Sequence, residues 1–158
     1  MQKLAQLFFH TLLEKSKELN KKIEELEALH NALYSIGGVD YSKDRVDGGI
    51  PSDLADKMAR VMKKQKKTGT LNDEVIAMRD AAEILIKLLP NKDQQRVLSN
   101  RYILGLTWEQ VAESVGHSER WTYDLEAQAF RDLNKNHEKK LKYFSLLHLK
   151  SLHISIRP

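Results

Sequence analysis

Cysteine is absent from this chain of 158 residues, which excludes disulfides and thiolate metal sites and leaves a reducing compartment open. Proline and glycine are scarce, at three and seven, so few points break a helix. Helical periodicity runs nearly throughout and predicts an all-α fold. No stretch reaches the roughly 18 apolar residues of a spanning helix, and Met1-Gln2-Lys3-Leu4 does not begin an apolar core followed by small residues. A soluble, cytoplasmic protein without membrane contact is expected.

Recognisable catalytic patterns are missing as well. None of the six histidines lies in a His-x-x-x-His pair, and no phosphate-cradling GxxxxGK[ST] or GxGxxG loop occurs. Neighbouring carboxylates such as Glu24-Glu25 and Asp73-Glu74 point about 100° apart on a helix, which suits solvation rather than shared acid-base work. His117 falls in a turn, where an exposed or capping role outweighs metal ligation. The expectation is a protein that is not an enzyme and uses no metal or cofactor.

Charge is present but unevenly placed. The net charge is +4, yet residues 91–134 hold five Lys and Arg against seven Asp and Glu, while residues 135–158 hold six against one. A further basic run spans Arg60 to Lys67. Either run is a solvated face or a phosphate contact.

Residues 1–36 read as an N-terminal helix, of which residues 4–36 form the longest periodic segment. Phe9, Leu12, Ser16, Leu19, Ile23, Leu26, His30 and Leu33 step by three and four, the seam of a heptad helix. Such a seam fits a homodimer through the N-terminal helix, with Lys22 and Glu27 at flanking positions, or folds back onto the chain's own later helices. Residues 37–51 lack periodicity and open with Gly37-Gly38, so they read as a loop. Residues 52–90 form a helical connector. Leu54, Met58, Val61 and Gln65 make one stripe, a restart is expected at Thr70 or Asn72, and Val75, Met78, Ala82, Leu85 and Leu89 make a second stripe ending at Pro90. Met58, Met62 and Met78 read as core filling.

Residues 91–137 carry the most specific pattern. A helix from Asp93 to Leu104, with Val97, Leu98 and Ile103 inward, precedes a short helix and then a longer one. Thr107 with Gln110 three residues later forms a capping box, and Trp108, Val111, Ala112 and Val115 recur on one face. Gly116 suits a left-handed helix end, and Ser118 suits the next N-cap. Thr122, Leu125, Ala129 and Leu133 then face inward, which leaves Glu119, Arg120, Trp121, Tyr123 and Asp124 outward on the first turns. A helix-turn-helix presents those positions to base edges in a major groove; the same pattern also describes an ordinary helical hairpin. Residues 138–158 form a basic and apolar tail, either buried on more than one side or poorly ordered, into which the preceding helix is free to continue. Lys135, Lys139, Lys140 and Lys142 are its candidate phosphate contacts.

From Arg96 to Leu133 the chain resembles region 4 of the bacterial sigma factors, through Arg101-Tyr102, Glu109-Gln110-Val111-Ala112 and Leu125-Glu126-Ala127-Gln128-Ala129. More loosely, through Tyr41 to Val46 and the long first helix, residues 1–135 resemble late-operon transcription activators of the ArpU and RinA type from prophages of Gram-positive bacteria. These resemblances imply a nucleoid-associated, sequence-specific regulator of phage genes in a bacterial host, with double-stranded DNA and RNA polymerase as partners. They place Glu119, Arg120 and Asp124 at base-reading positions and Tyr123 at a backbone-contacting one, with Ser118, Trp121 and Thr107 beside them. Trp121 and Asp124 depart from the usual residue types there. Two other classes fit the same pattern: a small terminase subunit for DNA packaging, and an adaptor using the helix-turn-helix for protein contact.

Overall fold

The computed structural model describes residues 3–35 and 52–149, and every regular element among them is helical. The expected loop at residues 37–51 lies outside the described residues. In chain order the elements are α1 (Leu4–Ser35), α2 (Ser52–Lys87), α3 (Lys92–Leu98), a π-helical turn (Ser99–Ile103), α4 (Trp108–Val115), α5 (Glu119–Asn136) and α6 (Glu138–His148). They make two compact units, one of Met1–Ser16 with Glu74–Pro158 and one of Lys17–Asp73, so the division falls inside α1 and α2. None of these helices is long and apolar enough to cross a membrane.

The larger unit is built around the first turns of α1. Phe8, Phe9, Leu12 and Leu13 are buried there together with Val75, Met78, Ala82, Leu85 and Leu89 of α2 and its exit. Phe9 meets Tyr102 at 5.4 Å and Phe130 at 5.7 Å between ring centroids. Aromatic contacts at such distances add stabilisation beyond the area they bury. The N-terminal part of the heptad seam therefore faces the chain's own helices: Phe9, Leu12 and Ser16 are covered within this unit. Lys15 adds an ion pair with Glu74 at 2.8 Å.

In the smaller unit the rest of α1 runs beside the first half of α2. Leu19 and Val61 are buried, while Leu26, Leu29 and Leu33 are half-buried. The expected restart at Thr70 or Asn72 does not occur, because α2 continues through it. The Thr68 and Thr70 hydroxyls donate to the carbonyls of Lys64 and Lys66, at 2.9 and 3.1 Å. Such back-bonding satisfies the hydroxyls without ending the helix. Met78 fills core as expected, but Met58 and Met62 are exposed.

Two other elements differ from the sequence reading. The segment from Asp93 to Leu104 is an α-helix only to Leu98, and Ser99 to Ile103 widen into a π turn in which the Leu104 N–H reaches the Ser99 carbonyl. Nor does α5 continue into the tail. His137 leaves helical geometry at φ −124° and ψ 25°, and α6 starts afresh with Leu141 and Ser145 buried.

Candidate nucleic-acid interface

Local chemistry sets the geometry of α4 and α5. Thr107 is an extended N-cap whose hydroxyl accepts from the Gln110 N–H at 3.3 Å, while Gln110 Oε1 accepts from the Thr107 N–H at 2.9 Å. At the other end Gly116 adopts φ 71°, and the His117 N–H closes on the Ala112 carbonyl at 3.1 Å. An L side chain is strained at that φ, which is why glycine serves there. Ser118 then caps α5, its hydroxyl accepting from the Trp121 N–H at 3.3 Å. Three residues, Gly116 to Ser118, thus separate two firmly bounded helices.

Packing holds that pair on the π turn and α3. Val97, Val111 and Leu125 form a buried cluster flanked by Leu106, Trp108, Val115 and Trp121. Arg101 lies over the Trp108 ring at 5.0 Å and donates to the Leu106 carbonyl at 2.7 Å. Asn100 donates to the Ser114 hydroxyl at 2.8 Å, tying the π turn to α4. Behind α5, the buried Tyr102 hydroxyl donates to the Glu126 carboxylate and stands 3.4 Å from His10 Nε2. Burial raises the Glu126 carboxyl above its ordinary range against the Tyr102 hydrogen bond, which lowers it. Burial and the adjoining carboxylate push the Tyr102 hydroxyl up as well.

Glu119, Arg120, Tyr123 and Asp124 are exposed on the first two turns of α5. Tyr123 also packs against Trp108 in a tilted pair, with centroids 4.4 Å apart, so its ring is anchored while it stays exposed. Trp121 is the correction: it is half-buried against the cluster and covered by His117 at 3.6 Å between centroids. One turn before Leu125, it sits at the margin of the inward stripe rather than on the outer face. Thr107 and Ser118 are exposed, and their hydroxyls are engaged as caps. Lys135 is exposed at the end of α5; Lys139, Lys140 and Lys142 are exposed on α6, the last paired with Glu138 at 2.6 Å.

Sequence reasoning missed the rest of the outer face of α5. Arg120, Asp124, Ala127 and Arg131 are all exposed and fall within about 60° of arc at 100° per residue, with Gln128 beside them. The two arginines are separated by about 16 Å along the axis. Their eleven-residue spacing was the available signal. More positive charge lies in the same unit, where Lys87, Lys92 and Arg96 line an open groove of about 380 Å³ between the end of α2 and α3. Among the described residues no group of three or more His, Asp or Glu is placed to hold a metal ion.

Fold and site together define an all-α chain in which two capped helices, α4 and α5, are joined by a three-residue turn. The model of a family described as a protein of unknown function (DUF1492) matches residues 35–134, and the chain belongs to that family. The match takes in α2, α3, the π turn and α4, and α5 as far as Asn134. No curated protein and no solved structure matches the chain.

Proposed function

We propose that this chain is a sequence-specific DNA-binding transcription regulator of phage or prophage type, with α5 as the helix that enters a major groove. The observation that carries this reading is the front of α5: Arg120, Tyr123 and Asp124 are exposed directly after a capped three-residue turn, on a helix whose opposite face is fully packed. A rigid helix with polar side chains on its first turns is what base-edge recognition requires. Arg131, three turns further on, takes the place of a phosphate contact where the helix leaves the groove. Residues 91–134 are net acidic even with Lys92 and Arg96 counted, so affinity depends on cations outside that segment, which Lys87 and the lysines of α6 supply. Action on late genes and contact with RNA polymerase extend the same reading through the likeness to sigma region 4.

The test is selection of duplexes from a random library by the full chain at low salt. Enrichment of one motif supports the proposal. The exposed carboxylates Glu119 and Asp124 flanking Arg120 favour protein contact as the second reading, and failure to retain any duplex alongside capture of a polymerase subunit selects it.

A further inference from the structure

Among the described residues the smaller unit presents an exposed apolar face. Leu54, Met58 and Met62 follow one another at four-residue steps on α2 and are 36%, 45% and 67% exposed. With Leu33 of α1 and Val61 they line a cavity of about 270 Å³. Core methionines are common, but two exposed ones in line with a leucine form a contiguous apolar surface of the kind that marks an interaction site.

Charge on the two helices indicates what covers it. At about 100° per residue Glu24 and Glu27 fall on the side of α1 that borders this cavity and Lys63 and Lys66 on the corresponding side of α2, whereas Glu25 lies on the opposite side of the hairpin with Lys64 and Lys67. The cavity thus lies between an acidic helix and a basic one. A nucleic acid or an anionic lipid surface would meet the basic helix favourably and the acidic one unfavourably. A second copy of the same hairpin turned by a twofold axis meets both favourably, since α1 of each copy then lies along α2 of the other.

We propose that the chain forms a homodimer through this distal hairpin, with Leu54, Met58 and Met62 of the two copies packed across a twofold axis in a four-helix bundle. Helices of this kind interdigitate at shallow crossing angles around apolar stripes, and the glutamates of α1 and the lysines of α2 set the orientation at the rim. The interface differs from a coiled coil along the whole N-terminal helix, because Phe9, Leu12 and Ser16 are already covered by their own chain. It does not rest on the DNA-binding reading, and either can fail alone.

The experiment measures the mass of the full chain in solution by sedimentation equilibrium. Twice 18.3 kDa is expected for the native sequence. A Met58→Glu, Met62→Glu variant, which places carboxylates where apolar contact is needed, is expected to weaken the dimer about tenfold or more. Its helical circular dichroism and melting as a monomer serve as the folding control. Glu24→Lys, Glu27→Lys is expected to weaken the dimer with increasing effect at low salt. A native mass of 18.3 kDa at every concentration overturns the proposal. So does a dimer that survives the methionine change in a folded protein, or a monomer that sediments with anionic vesicles.

Discussion

Tyr102, in the π turn, donates its hydroxyl to the carboxylate of Glu126 on the inner side of α5. The bond joins the scaffold to the helix that carries the candidate reading face, and Tyr102 also packs against Phe9 and His10 of α1. Tyr102→Phe removes the donor and leaves a half-buried carboxylate undersatisfied, at an expected cost of about 1–3 kcal/mol in the urea midpoint.

Acid should shrink that cost. Burial raises the folded-state Glu126 carboxyl and Tyr102 holds it down, so the variant's carboxyl lies higher still. A carboxyl raised on folding contributes stability that is present below its unfolded range and lost as pH rises through the folded value. The variant therefore regains stability on acidification before the native chain does. Urea midpoints of the two proteins should converge as pH falls through the carboxylate range; a constant gap would mean that the hydrogen bond is not to the ionised group.

Arg120 and Arg131 share one face of α5, yet their replacements should behave differently under the proposed function. Arg120→Ala is expected to cost about 1–3 kcal/mol and to relax preference at one base pair, because a base-edge contact discriminates sequences. Arg131→Ala is expected to weaken all duplexes alike and to make the salt slope shallower by about 0.9, the signature of one phosphate contact. Parallel binding isotherms on matched and mismatched duplexes separate the two, and identical profiles would remove the division of labour along the helix.

The lysines of α6 are not equivalent. Lys142 is paired with Glu138, whose carboxyl it holds below the ordinary range through a hydrogen bond and its charge, whereas Lys139 and Lys140 are simply exposed. Under the proposed function Lys139→Gln with Lys140→Gln should flatten the log-affinity against log-salt line by up to about 1.8, at 0.9 per phosphate. Lys142→Gln should change it less. An unchanged slope in the double variant would place the phosphate contacts elsewhere.

What was legible in the sequence is what depends on neighbours three or four residues away. The capping box at Thr107, the left-handed Gly116, the cap at Ser118 and the inward positions Thr122, Leu125, Ala129 and Leu133 all follow from local spacing, and each holds in the structure. Tyr102 with His10 was not legible, because its partner lies 92 residues away and no local pattern predicts that contact. Trp121 was misplaced for a related reason: at the margin of a stripe, whether a side chain turns in or out is decided by tertiary neighbours, here the cluster around Leu125. The continuous α2 shows the converse error. Gly69 between two threonines resembles a break, but hydroxyls bonded back to Lys64 and Lys66 keep the helix intact.

Gly116 offers a test of the turn itself. Its φ of 71° is left-handed, and a Cβ built there meets nothing within 4 Å. Gly116→Ala therefore carries backbone strain without steric clash, for which about 1–2 kcal/mol is expected. Gly116→Asn should cost less, since a short polar side chain tolerates this conformation by bonding locally. The ordering Gly, then Asn, then Ala in urea midpoints, with unchanged denaturant dependence, is the expected outcome. Because Val111 and Leu125 meet across this turn in one cluster, strain that loosens the turn also loosens the seat of α5. Duplex affinity should then fall in the same order as stability, whereas Arg120→Ala should lower affinity and leave the urea midpoint where it was. Equal midpoints for Gly116 and its alanine variant would show that the helix end is not left-handed in solution.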